Sequence, residues 1–349
     1  MTWTTPAGDA TATAASLQEE IDRLMQAMGP RANAKLARDL LSVAAALATD
    51  DVDRLDLKIA TAALTEMRDA FRVFAPYQDV PKVTIFGSAR TRPDDPVYEQ
   101  ARRIAADLAE QGWMVVTGAG PGIMAAGMEG AGRERSIGVS IRLPWEQSAN
   151  SIIAGDHKYV SMKYFFTRKL MLIKESKAFV CLPGGFGTLD ETYELLTLTQ
   201  TGKGLPVPIV FLDTPGDTYW RSVGTFIDDE LVSRGLVSSD DVGLFLVTDD
   251  CEVAAHEIQH FYANYQSLRY VGDELVIRVR HAPDVEELAA LNDRFGHLCR
   301  RGRIERSAPL SVEQKEGDAV DLPRLRFTFA RHGFAQLRGL IDALNDLAA

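Results

Sequence analysis

The stretch Phe179-Val-Cys-Leu-Pro183-Gly-Gly-Phe-Gly-Thr188-Leu-Asp-Glu191 reads as a strand, a glycine turn and the start of a helix. The same hand-over occurs twice earlier. Phe86-Gly87-Ser88-Ala89-Arg90 follows the apolar run Val83–Phe86, and Gly118-Ala119-Gly120-Pro121-Gly122-Ile123-Met124 follows Met114–Thr117. Further short β-branched or aromatic runs lie at Ile137–Ile141, Tyr159–Ser161, Ile209–Leu212 and Phe245–Val247. Helical stretches near 95–111, 121–133, 163–176, 187–201, 218–234 and 250–265 separate them. This alternation predicts an α/β fold, a Rossmann-like doubly wound parallel sheet with helices on both faces. In such sheets ligands bind beyond the carboxyl ends of the strands, where all three glycine loops fall.

On either side the pattern changes. Residues 1–15, rich in Thr, Ala and Gly, are expected to form a disordered tail. Residues 16–80 form an N-terminal helical region: Ile21, Leu24 and Met25 mark one helix, Leu36, Leu40, Leu41 and Val43 a second, Leu57, Ala60, Leu64 and Phe71 a third. This region is expected to pack on the main domain or on a partner subunit. Residues 81–267 are expected to form the main Rossmann-like domain, and 268–349 a small C-terminal α+β domain. The latter is expected to contain strands Leu275–Val279, Ile304–Val312 and Leu325–Phe329, with helices Val285–Cys299 and Phe334–Leu347.

The formal net charge is −11 over 349 residues. An acidic balance argues against nucleic acid as a partner, because a phosphate backbone recruits Lys and Arg. Hydrophobic residues at 46% and charged residues at 25% are ordinary for a globular protein. The three cysteines, Cys181, Cys251 and Cys299, show no zinc-finger spacing and suit a reducing cytosol. No apolar run approaches the ~20 residues that span a bilayer. A cytoplasmic protein with no membrane partner is expected.

Glycine lets a backbone approach a ligand closely, and the N–H groups that open a helix attract anions. Together they bind phosphate. Each glycine turn alone is open to a steric reading; three in one sheet point to a nucleotide-like ligand. The G-A-G-P-G order of the second loop is not the dinucleotide fingerprint, and no GxxxxGK[ST] run exists, so a mononucleotide is favoured over NAD or ATP. Thr188 and Glu191 fit two readings. They form an N-terminal capping box, or Glu191 faces a ribose or a water. Arg168 and Lys169, on the helix before Phe179–Leu182, either reach the same anion or lie on a solvated face.

Taken together, P-G-G-x-G-T-x-x-E at 183–191, the preceding Arg168-Lys169 pair, V-T-I-F-G-S-A-R at 83–90 and the Gly118–Met124 loop resemble the LONELY GUY (LOG) family, long labelled lysine decarboxylases by inheritance. The resemblance covers about Lys82 to Tyr265. It implies hydrolysis of the N-glycosidic bond of a nucleoside 5′-monophosphate to free base and ribose 5-phosphate, with no metal or organic cofactor. It implies Arg168 and Glu191 as the catalytic pair. Binding of substrate and its phosphate is implied for Gly87, Ser88, Gly118, Gly120, Gly122, Lys169, Pro183, Gly184, Gly185, Gly187 and Thr188. It also implies a homodimer or larger homo-oligomer. Two departures stand out: Phe165 and Phe166 replace a Met-His pair of short plant-type members, and G-A-G-P-G replaces three consecutive glycines. Both bear on which base is read, whether adenine-like or a cytokinin. The greater length suggests a long-chain bacterial type. No lysine stands in a recognisable pyridoxal-phosphate setting.

Other readings compete. His256-Glu257-Ile258-Gln259-His260 matches the zinc-protease pattern HExxH. However, Ala254, Ile258, Phe261, Tyr262 and Tyr265 define the buried face of that helix, which turns both histidines towards solvent. Arg294, Arg300, Arg301, Arg303 and Arg306 form either a charge cluster at a helix C-terminus or an allosteric anion site. A nucleotide-binding sensor or carrier without hydrolysis is the alternative function on the same fold.

Overall fold

The computed structural model describes residues 7–30, 32–143 and 149–347, with side chains from residue 16 onward. The chain divides into two units, Met1–Glu66 and Met67–Ala349. The first holds helices α1 (Ala7–Ala27) and α2 (Ala34–Thr49) and most of α3 (Arg54–Phe74). Residues 1–6 of the expected tail lie outside the described residues. Helix α1 already begins at Ala7, because Ala10, Ala12, Ala14 and Ala15 are strong helix formers.

The second unit opens with the alternation read from the sequence: β1 (Lys82–Phe86), α4 (Pro96–Glu110), β2 (Met114–Thr117), α5 (Ile123–Ala131), β3 (Ser136–Ile141) and β4 (Tyr159–Met162). It continues with α6 (Phe165–Lys174), β5 (Ala178–Cys181), α7 (Phe186–Gln200), β6 (Ile209–Leu212), α8 (Tyr219–Phe226), β7 (Leu246–Thr248) and α9 (Cys251–His260). The seven strands form one parallel sheet in the order β4-β3-β2-β1-β5-β6-β7, so the Rossmann-like doubly wound fold is borne out.

Alternation along the strands explains the two layers. Val83 and Ile85 of β1 join Val115, Val180 and Val210 in a core covered by α4, α5 and α9. Phe86, Val116, Val139, Phe179 and Phe211 point the other way, under Met171 and Leu172 of α6, Leu195 of α7 and Trp220 of α8. All five residues of β1 are buried, as in a parallel strand covered on both faces, and its apolar residues Val83, Ile85 and Phe86 divide between the two layers. Helix starts follow local chemistry. Asp95 caps α4 by accepting from Val97 N–H at 2.9 Å with Pro96 in the first turn, and Asp250 caps α9. The helix expected to reach 234 continues past α8 as a π-helical turn over Ile227–Val232.

A four-stranded antiparallel sheet follows, ordered β10-β11-β9-β8. It consists of β8 (Tyr265–Val271), β9 (Glu274–Val279), β10 (Cys299–Ser307) and β11 (Arg324–Phe329), with α10 (Val285–Phe295), α11 (Ser311–Glu316) and α12 (Phe334–Asp346). Leu275, Ile277, Phe327 and Phe329 pack with Leu291, Leu337, Leu340 and Ile341 in a separate core. Helix α9 ends at His260, short of the expected 265, and β8 occupies a segment for which the sequence predicts no strand. Here Tyr265–Val271 pairs with β9, because cross-strand partners Leu268 and Ile277 bury together. Helix α10 stops at Phe295, short of the expected Cys299, and the expected strand end at Val312 falls inside α11, which Gly317 closes in the left-handed conformation (φ +66). No helix among the described residues is long and apolar enough to cross a membrane.

Candidate active site

The chain runs from β1 through β4 in one direction, then returns to the other side of β1 with β5. The loops after β1 and β5 therefore part at the switch point of the sheet, where a crevice opens. Three loops interlock there. Ser88 N–H donates to the Pro183 carbonyl at 3.3 Å, Ile123 N–H to the Ser88 carbonyl at 3.0 Å, and Leu182 N–H to the Phe86 carbonyl at 2.8 Å. Gly122 makes this possible: its φ is +66, and a Cβ would lie 2.3 Å from the Ser88 carbonyl oxygen. At Gly185 and Gly187 a Cβ would meet nothing within 4 Å. These two border open space, where a ligand can approach the backbone.

Helix α7 opens onto that space. Gly185 is its N-cap, and the first intrahelical bond runs from Leu189 N–H to the Gly185 carbonyl at 3.1 Å. The N–H groups of Phe186, Gly187 and Thr188 precede it and carry the positive end of the helix dipole. No side chain caps this start, and Glu191 lies in the second turn. The capping-box reading of Thr188 and Glu191 is thus corrected: the helix begins two residues before Thr188, too early for Thr188 to be its cap.

Glu191 instead points inward. It is only 5% exposed, its Oε1 is 3.5 Å from Arg168 Nη1, and its Oε2 is buried with no hydrogen-bond partner among the described residues. Burial pushes its carboxyl up to about 7, against the pull of Arg168 and Lys169. Arg168 comes from α6, and its Nε donates to the Val139 carbonyl at 3.0 Å. Its guanidinium lies on Gly118, where a Cβ would stand 2.2 Å from Nη2 and 2.6 Å from Met124 Sδ. Gly118 is glycine because the arginine needs that floor.

A cleft of about 790 Å³ is lined by Gly87, Ser88, Arg90, Gly118, Arg168, Gly184–Glu191 and Tyr219, among others. A second chamber of about 760 Å³ shares Gly118, Met124, Ile141, Leu143 and Arg168 with it, and is lined further by Gly120, Ser140, Asn150 and Tyr159. The structure thus brings together Arg168, Glu191, Gly87, Ser88, Gly118, Gly184, Gly185, Gly187 and Thr188. Gly120 belongs to the second chamber only. Gly122 and Pro183 line neither space and instead tie the loops to one another. Lys169 also leaves the group: its Nζ pairs with Asp190 and Glu194, each at 2.8 Å. One residue along a helix is a turn of about 100°, so a neighbour of Arg168 cannot face the same way. Sequence reasoning missed Tyr219, Asn150, Ser140 and Tyr159. They come from distant segments and carry no motif.

The HExxH residues are engaged structurally. Glu257 pairs with Arg338, His260 Nε2 lies 2.9 Å from Asp346 Oδ1, and His256 is exposed. Among the described residues, no group of three His, Cys, Asp or Glu is placed to hold a metal ion. The basic run is also corrected. Arg300, Arg301, Arg303 and Arg306 lie along β10, an edge strand, and not at a helix end; Arg300 pairs with Asp273 at 2.7 Å. Charge along an edge strand resists pairing with other chains.

Interlocked glycine loops and a buried Arg–Glu pair at the switch point of the sheet define the candidate active site of this α/β protein. A family model described as "Possible lysine decarboxylase" matches residues 122–258. A cytokinin riboside 5′-monophosphate phosphoribohydrolase of Arabidopsis thaliana is 24% identical over 215 residues, covering 60% of this chain and 95% of that protein. A second such enzyme of Arabidopsis thaliana is 27% identical over 164 residues, 45% of this chain and 73% of its own length. Among solved structures, the molybdenum cofactor binding protein of Rippkaea orientalis is 17% identical, over 52% of this chain and 96% of its own, with a TM-score of 0.35. These similarities accord with the resemblance to the LONELY GUY family that the motifs carry. Among the described residues no lysine lines the cleft: Lys169 is ion-paired outside it, and Lys82 sits at the opposite, amino end of β1.

Proposed function

We propose that this chain is a cytoplasmic phosphoribohydrolase that splits nucleoside 5′-monophosphates, AMP-like or cytokinin-type, into free base and ribose 5-phosphate. The observation that carries the reading is Glu191: a buried carboxylate with one unsatisfied oxygen, facing Arg168 beside an anion-binding helix start. The 5′-phosphate is held by the N–H groups of Gly185, Gly187 and Thr188 and by the loop at Gly87 and Ser88. The ribose then lies over Glu191. As the N-glycosidic bond breaks, its electron pair leaves with the base, and positive charge grows on the sugar. The carboxylate stabilises that charge and accepts a proton from the water that bonds to the anomeric carbon. The departing base takes its proton from solvent. Arg168 balances the carboxylate and fixes the substrate. The reaction requires no cofactor.

Activity is tested by incubating the protein with AMP, GMP, CMP, UMP and isopentenyladenosine monophosphate and following free base by chromatography. Base from at least one is expected. Binding without release from any of them would leave a nucleotide carrier or sensor. We also propose a homodimer or larger homo-oligomer. It is supported by Phe186, which is 93% exposed at the rim of the cleft, and by half-exposed Phe165, Phe166 and Leu170 on neighbouring α6. Light scattering is expected to give a mass of at least two chains.

A further inference from the structure

Tyr219, at the start of α8, makes one contact that the glycine loop does not make for itself. Its hydroxyl donates to the Gly184 carbonyl at 2.6 Å, across 35 residues of sequence. The peptide concerned joins Gly184 to Gly185. With a glycine on each side, no Cβ opposes rotation of that peptide plane. A flip exchanges the places of the Gly184 carbonyl and the Gly185 N–H. In a trans peptide these two bonds point in opposite directions. A tyrosine that holds the carbonyl therefore sends the N–H to the far side.

The tyrosine is itself firmly placed. Trp220 N–H donates to the buried Asp213 carboxylate at 3.1 Å, and Tyr219 N–H to Asp217 Oδ1 at 3.2 Å. The Tyr219 ring stands edge-on to Trp220 at 5.0 Å, and Trp220 stacks on Phe211 of β6 at 4.3 Å. Gln100 Nε2 reaches from α4 to the Asp213 carbonyl at 3.1 Å. The hydroxyl thus hangs from the sheet. Burial raises its pKa further above neutrality, so it remains a donor at working pH.

We propose that Tyr219 is a positioning residue that locks the Gly184–Gly185 peptide in its anion-binding orientation, with the Gly185 N–H turned to the substrate phosphate and the carbonyl turned away. This deepens the phosphoribohydrolase reading and rests on its placement of the phosphate. Without the lock, a fraction of molecules presents a carbonyl oxygen to the phosphate, which repels it. Binding then weakens by the fraction of competent loops.

The test is Tyr219→Phe, which keeps the ring against Trp220 and removes only the hydroxyl. One hydrogen bond of this kind corresponds to roughly a five- to tenfold effect. Affinity for inorganic phosphate and for ribose 5-phosphate, measured by calorimetry, is expected to fall by about that factor. KM for the best nucleoside monophosphate is expected to rise by the same factor with kcat nearly unchanged, since the contact is equal in ground and transition states. Thermal melting monitors the alternative of a merely structural role, in which Tm and kcat fall together. Unchanged phosphate and ribose 5-phosphate affinity in Tyr219→Phe overturns the proposal while leaving the proposed activity standing. If the wild type binds ribose 5-phosphate but releases no base, the activity fails and the lock is still decided by the two affinities. If the wild type binds neither anion, both fall.

Discussion

Replacing Glu191 by glutamine is expected to abolish turnover and at the same time stabilise the protein, by an amount that grows with pH. An ordinary glutamate titrates near 4.5, whereas burial holds this one near 7. Between those values the folded protein keeps a proton that the unfolded chain has released. The folded state therefore binds more protons than the unfolded state, and stability falls as pH rises through that window. At about 1.36 kcal/mol per pH unit, the ionised carboxylate costs roughly 3 kcal/mol once the pH is above about 8. Glutamine has the shape of the protonated acid and no charge to bury. The variant and the wild type should melt alike near pH 4.5. At pH 8.5 the variant should melt higher by roughly 5 °C or more, given a few degrees per kcal/mol for a chain of this size. Scanning calorimetry at both pH values, with base release assayed in parallel, reads the two effects together. A gap that does not change with pH, or a glutamine variant that melts lower at pH 8.5, would refute the assignment of a strained, buried carboxylate. In the proposed mechanism the ionised form of Glu191 is the active one, so kcat/KM should rise with pH and level off above about 7. A bound phosphate dianion disfavours a second negative charge, so the midpoint in kcat should lie higher than in kcat/KM.

Arg168→Lys should lower kcat by about a hundredfold, measured by base release, because an ammonium cannot both donate to the Val139 carbonyl and face Glu191. Gly118→Ala places a methyl 2.2 Å from the same guanidinium; it should reduce activity comparably and cost about 1–3 kcal/mol in denaturant unfolding. In the C-terminal sheet, Glu313 is fully buried between Arg278 and Arg324, at 2.7 Å from each. Glu313→Ala takes the carboxylate from buried Arg324 and leaves Arg278 with Asp318, at 2.6 Å, and should cost about 3–5 kcal/mol in the same measurement. His256→Ala with His260→Ala should leave base release unchanged within twofold, with and without a zinc chelator; a chelator-sensitive loss would restore the metal reading.

Much of the molecule was legible in one dimension. The strands Met114–Thr117 and Ile209–Leu212 fall where their β-branched runs lie, because a strand buried on both faces must be apolar throughout. The three glycine loops were visible because close approach of backbone needs a residue without a Cβ. Strand β8 was not visible: its residues mix polar and aromatic side chains, and only pairing with β9 chooses strand over a longer α9. The Arg300–Arg306 run could not be assigned to an edge strand before the sheet order was known.

The Phe179–Glu191 stretch marks the same division. Its residue types alone determined a strand, a turn and a helix start with phosphate-binding capacity, since these follow from local sterics and unpaired N–H groups. They left open whether Glu191 caps the helix or serves a site, and whether Lys169 reaches the anion. Tertiary structure decided where each side chain lies: Glu191 is buried facing Arg168, and Lys169 pairs with Asp190 and Glu194. Burial, the approach of Arg168 over Gly118 and the reach of Tyr219 to Gly184 depend on segments far apart in the chain, and a carboxylate's charge state depends on what surrounds it.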